Sequence, residues 1–87
     1  MFRIYIHSFD GALIERSTSD NPATALATFA GFVNDTTRDS TKTLAVLSYN
    51  SRQLFMHRFD RADGMPESLR GRLPTLEQVI DAHIAAI

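Results

Sequence analysis

The sequence predicts an α+β domain with the element order ββαββα, a mainly antiparallel four-stranded sheet carrying two helices on one face. Three observations lead there. Four short stretches are rich in β-branched and aromatic residues, and they fall in two pairs, each joined by a turn dipeptide. Each pair is followed by a segment with apolar residues at helical spacing. Both helical segments open with capping residues.

Phe2–Phe9 reads as the first strand and Ala12–Thr18 as its return. Asp10-Gly11 between them is a preferred pair for a two-residue type I′ turn, in which both positions take positive φ. That turn sets Tyr5 opposite Arg16 and His7 opposite Ile14. Asn21-Pro22 starts a helix: Asn21 caps, and Pro22 occupies the first helical position, where a missing N–H leaves no bond unmade. Leu26, Phe29, Ala30 and Val33 then form one apolar stripe, and Asn34-Asp35 ends it.

Thr43–Tyr49 and Arg52–Phe59 read as the third and fourth strands, with Asn50-Ser51 as a tight turn. Gly64, Pro66, Gly71 and Pro74 make the segment from Arg61 to Pro74 mostly irregular. Thr75-Leu76-Glu77-Gln78 matches a capping box, and Leu76, Val79, Ile80, His83, Ile84 and Ile87 form the stripe of a C-terminal helix.

The 87 residues allow a single domain, 1–87, with one small core. There is no cysteine, which excludes disulfides and thiolate chemistry and is compatible with a reducing compartment. No apolar run is long enough for a transmembrane helix, and Met1-Phe2-Arg3-Ile4 does not open a signal peptide. The expectation is a cytoplasmic protein without membrane contact.

The net charge of −1 argues against bulk electrostatic capture of nucleic acid. Charge is uneven, however. Arg52, Arg58, Arg61, Arg70 and Arg72 outweigh Asp60, Asp63 and Glu67 in the stretch 52–75.

No catalytic constellation is legible. There is no phosphate loop, no G-x-G-x-x-G and no nucleophile elbow around Ser17, Ser19 or Ser48. His7, His57 and His83 match a zinc site in number, but H-E-x-x-H and paired spacing are missing. The sequence therefore assigns no catalytic residue, no metal and no cofactor.

Its most informative feature is that both faces of the expected sheet are apolar, where a half-exposed antiparallel sheet has one polar face. An excess of this kind marks an interface unless the 61–74 segment covers it. The expected function is a non-catalytic protein-interaction module, associating with itself as a homodimer or with another protein, as a regulator or inhibitor docking on a larger complex does. The expected contact face centres on Ile4, Ile6, Leu47, Tyr49, Leu54 and Met56, with Arg52 and Arg58 at the rim. The alternative is a single-strand nucleic-acid binder that uses Arg52, Arg58, Arg61, Arg70 and Arg72 with Tyr5, Phe9, Phe55 and Phe59 as stacking platforms.

Overall fold

The computed structural model describes all residues from Met1 to Ile87. Its elements are β1 (Phe2–Ser8), β2 (Leu13–Ser19), α1 (Pro22–Val33), a 3₁₀ turn at Thr36–Arg38, β3 (Thr43–Tyr49), β4 (Arg52–Arg58) and α2 (Leu76–Ala85). The four strands form one sheet in the order β2-β1-β3-β4, and all three pairings are antiparallel. The expected α+β architecture is the observed one.

The second hairpin has the tight two-residue turn expected of Asn50-Ser51, and the first departs from the type I′ turn expected of Asp10-Gly11. Gly11 alone takes positive φ in the first turn, at +92°. Its N–H donates to the Ser8 carbonyl, and the Ser8 N–H donates to the Ala12 carbonyl. This is a three-residue loop with the glycine in the left-handed position. The Asp10 carboxylate holds the loop by accepting from the Ser8 hydroxyl and the Ala12 N–H. Type I′ geometry appears instead at Asn50-Ser51, where φ is +49° and +67°.

The longer first loop moves the register. Tyr5 pairs with Arg16 as expected, but a bulge beyond Ile6 leaves Ile14 unopposed and pairs His7 with Leu13. A second bulge leaves Leu54 unopposed, so that Leu47 faces Phe55, Ala45 faces His57, Val46 faces Met56 and Leu44 faces Arg58. One inserted residue exchanges the faces of everything beyond it. Phe55 and His57 therefore lie on the face of Ala45 and Leu47. Met56 and Arg58 lie on the face of Leu44 and Val46.

The helices cover the face that carries Phe2, Ile4 and Ile6. These three side chains pack with Ala45, Leu47, Phe59, Ala25, Phe29, Val33 and Val79 in one buried cluster. Burying a large aliphatic side chain contributes about 1.5–3 kcal/mol, so this cluster dominates the stability of the fold. In α1 the Asn21 side chain accepts from the Ala23 and Thr24 N–H groups at 2.8 and 3.2 Å. The buried stripe is Ala25, Phe29 and Val33, with Leu26 and Phe32 packed beside it. The capping box of α2 is complete: Gln78 N–H donates to Thr75 Oγ1, and Thr75 N–H donates to Gln78 Oε1. Only Val79 of the expected α2 stripe is fully buried; Leu76, Ile84 and Ile87 are exposed.

The segment between β4 and α2 does not close over the second sheet face. It runs along the outer edge of β4, where Arg58 N–H donates to the Glu67 carbonyl at 2.9 Å, and Leu69 and Leu73 pack on the core. Arg70 ties the segment to α1. Its guanidinium donates to the Val33 carbonyl at the C-terminus of the helix and to both carboxylate oxygens of Asp39.

Candidate interaction face

The face of the sheet opposite the helices is open, and the strand register orders it into three rows. Leu13, His7, Leu44 and Arg58 form the first row, Arg16, Tyr5, Val46 and Met56 the second, and Thr18, Arg3, Ser48 and Gln53 the third. Two rows are largely apolar or aromatic and the third is polar. Val46 and Ser48 are buried by their neighbours, Tyr5, His7, Leu44 and Met56 are half-buried, and Leu13 is 58% exposed.

Two shallow hollows indent this surface. One, of about 390 Å³, is lined by His7, Phe9, Leu44, Met56, Arg58 and Glu67. The other, of about 350 Å³, is lined by Arg3, Tyr5, Leu13, Arg16, Ser48 and Ser51. The Tyr5 and His7 rings lie 5.7 Å apart at 31°. His7 Nδ1 is bonded to the Ser8 carbonyl at 2.8 Å, which makes Nδ1 an N–H donor.

The arginines of the face differ in what they can still bind. Arg58 lies 4.8 Å over the Phe9 ring and holds Asp60 through two bonds of 2.9 and 2.7 Å. The bond between them holds the Asp60 carboxyl below the usual carboxylate range and raises the Arg58 guanidinium. Arg3 and Arg16 belong to no salt bridge. They are diagonal neighbours across β1 and β2, with Tyr5 opposite Arg16.

The structure corrects the contact face expected from the sequence. Ile4, Ile6 and Leu47 are fully buried beneath the helices. Tyr49 is half-buried against Phe2 and His83, with ring centroids 4.9 Å away in each case, and Leu54 packs on the core from its bulge. Arg52 is exposed beside the Asn50-Ser51 turn. Only Met56 and Arg58 of that set lie on the open face. The helices pack on the face of Ile4, Ile6 and Leu47, and the Leu54 bulge, which a strictly alternating reading of β4 does not contain, turns Met56 and Arg58 to the other face.

The arginine set of the nucleic-acid alternative is mostly engaged within the chain. Arg58 holds Asp60, Arg61 lies 3.7 Å from Glu67, Arg70 holds Asp39 and Val33, and Arg72 donates to the Met65 and Ser68 carbonyls. Of the expected stacking rings, Phe59 is buried and Phe55 packs against the core, while Tyr5 and Phe9 remain at the open side. The three histidines do not converge. His7 is on the open face, His83 packs at a tilt against Phe2 and edge-on against Tyr49, and His57 is buried against Phe59. No group of three His, Asp or Glu side chains is placed to hold a metal ion.

Reading by residue type missed Arg3, Arg16, Leu13 and Leu44 as members of one surface. The available signal was the pairing of Tyr5 with Arg16, which already places Arg16 and Arg3 on one side of the first hairpin.

Fold and surface together define a small α+β domain with helices on one side of its sheet and an open, arginine-bearing face on the other. No helix is long and apolar enough to cross a membrane. No protein-family model, curated protein or solved structure matches the chain.

Proposed function

We propose that this chain is a non-catalytic association module that docks on another protein through the open face of its sheet. One observation carries the reading. The Leu13–His7–Leu44–Arg58 and Arg16–Tyr5–Val46–Met56 rows form a continuous, largely apolar and aromatic surface, exposed or half-exposed except at Val46, that no helix or strand of the chain covers. Surfaces of this kind on small domains mark interfaces. Aromatic, Met and Arg side chains are also the types enriched in interface centres. Arg58 over Phe9, with its stem on the face and its head bonded to Asp60, suits a rim position. A chain without cysteine fits a cytoplasmic setting.

The test compares the intact chain with Met56→Glu and with Glu77→Lys, a control on the exposed side of α2. Each is used to capture partners from extract under identical conditions, and the mass of each is measured by light scattering. A protein held by the unaltered chain and the control, and released by Met56→Glu, supports the reading. Equal retention by all three removes it.

A further inference from the structure

The two edges of the sheet are treated differently, and the difference points to a mode of binding. The β4 edge is met by the chain itself, through Arg58 N–H to the Glu67 carbonyl, with Leu69 N–H bonded just inside it to the buried His57 ring. The β2 edge has no such cover. Every residue of Leu13–Ser19 is exposed or half-exposed, and beyond the bulge at Ile14 the strand from Glu15 to Ser19 contains no proline and no lysine, two common guards of a free edge. Alternate N–H and C=O groups of β2 therefore face outward as an unfilled ladder.

Resting on the reading that the partner is a protein, the geometry points to strand addition at β2 by an extended acidic segment of that partner. The acid requirement comes from Arg16. It projects from the edge strand onto the open face, has no carboxylate within 4 Å, and lies diagonally from a second uncommitted guanidinium, Arg3. Both line one hollow with Tyr5 and Leu13. An added strand sets a side chain directly beside Arg16, where a carboxylate meets a guanidinium in its preferred forked geometry. On the helix side Glu15 already has Arg38 at 3.4 Å, so at this edge the unmet positive charge is on the open side.

Two of the three registers with the most overlap oppose a second copy of this chain at the same edge, and in the third, centred on Ser17, each Arg16 meets Thr18 and gains no carboxylate. An antiparallel pair related by a two-fold axis sets residues of equal parity opposite each other. The register that overlaps all of Leu13–Ser19 centres on Arg16 and places it against its own copy. The register one residue earlier places Glu15 against Glu15. Like charges directly opposite are destabilising. A nucleic acid meets the arginines but has no peptide ladder to match the edge.

The experiment titrates the intact chain with a short dye-labelled peptide of alternating glutamate and valine, read by anisotropy and by amide exchange. Three comparisons accompany it: the same peptide N-methylated at alternate amides, a lysine–valine peptide, and Arg16→Glu protein. The expected result is slowed exchange at Glu15–Ser19 and affinity that falls roughly tenfold or more in each comparison. Equal binding of the N-methylated peptide, equal binding of the lysine peptide, or no binding at all overturns strand addition. Displacement of the peptide by a single-stranded oligonucleotide at equal concentration also overturns it. Met56→Glu separates the two proposals. Peptide binding that survives it while partner capture also survives leaves the edge site and removes the face. Partner capture lost with Met56→Glu, beside a peptide indifferent to N-methylation, leaves the face and removes the edge site.

Discussion

The backbone N–H of Leu69 donates to Nδ1 of the buried His57 at 2.9 Å. This bond requires a neutral ring whose proton is on Nε2. It ties the segment between β4 and α2 to the sheet beside the backbone bond from Arg58 N–H to the Glu67 carbonyl. Burial, followed by the positive charge of Arg70, pushes the His57 pKa below the ordinary histidine value of 6.5.

Stability is therefore expected to fall on mild acidification. Above about pH 6.5 the ring is neutral in folded and unfolded chains and its contribution is fully present. As pH drops below that value the unfolded chain takes a proton that the folded chain refuses, and stability is lost until the folded pKa is reached. The slope for one proton is at most about 1.4 kcal/mol per pH unit. Asp10, Asp35, Asp39 and Asp60 are depressed below 3.8, so their contributions are lost only at lower pH. Urea unfolding between pH 7 and 5 should show the fall, and His57→Gln, whose amide oxygen still accepts from Leu69, should flatten it.

Arg70 joins three parts of the chain through one guanidinium. It donates to the Val33 carbonyl at 3.3 and 2.8 Å and to the Asp39 carboxylate at 2.8 Å twice. A cation at the C-terminus of α1 also opposes the negative end of the helix dipole. Arg70→Met should lower stability by about 1.5–3 kcal/mol, the range for hydrogen bonds to charged groups. Arg70→Lys should recover little, because an ammonium cannot reproduce the fork. Loss of the Arg70 charge should also raise the His57 pKa, read by NMR titration of the ring.

Ser51 has φ +67° in the second turn, a region that side-chain-bearing residues enter at a penalty. Ser51→Gly restores the Asn-Gly pair that this turn favours. It should stabilise the chain by about 1 kcal/mol, seen as a higher denaturation midpoint with an unchanged slope.

Leu47 and Met56 stand on opposite faces of one hairpin. Leu47→Ala should lower stability by about 2–5 kcal/mol, because it opens a cavity in a buried cluster. Met56→Glu should leave a cooperatively folded chain, since its side chain meets solvent on the open face. Thermal unfolding of both variants checks the assignment of faces directly.

Local chemistry determined the elements. Asn21-Pro22 and Thr75 with Gln78 start helices because their side chains satisfy the first free N–H groups, whatever lies elsewhere in the fold. Strand composition and the two turn dipeptides were enough for two hairpins and for the pairing of Tyr5 with Arg16. The contact surface was decided by tertiary structure. Leu13 and Met56 reach the open face, and Phe55 and His57 the core, because one unpaired residue in each hairpin, Ile14 and Leu54, reverses the alternation beyond it. No sequence signal marks those two positions. A bulge forms where packing of a whole strand favours it over regular pairing, and that balance includes α1, α2 and the Arg70 clasp. The sequence determined that too much apolar surface was present for one sheet face. Only the packed helices determined which face was left open.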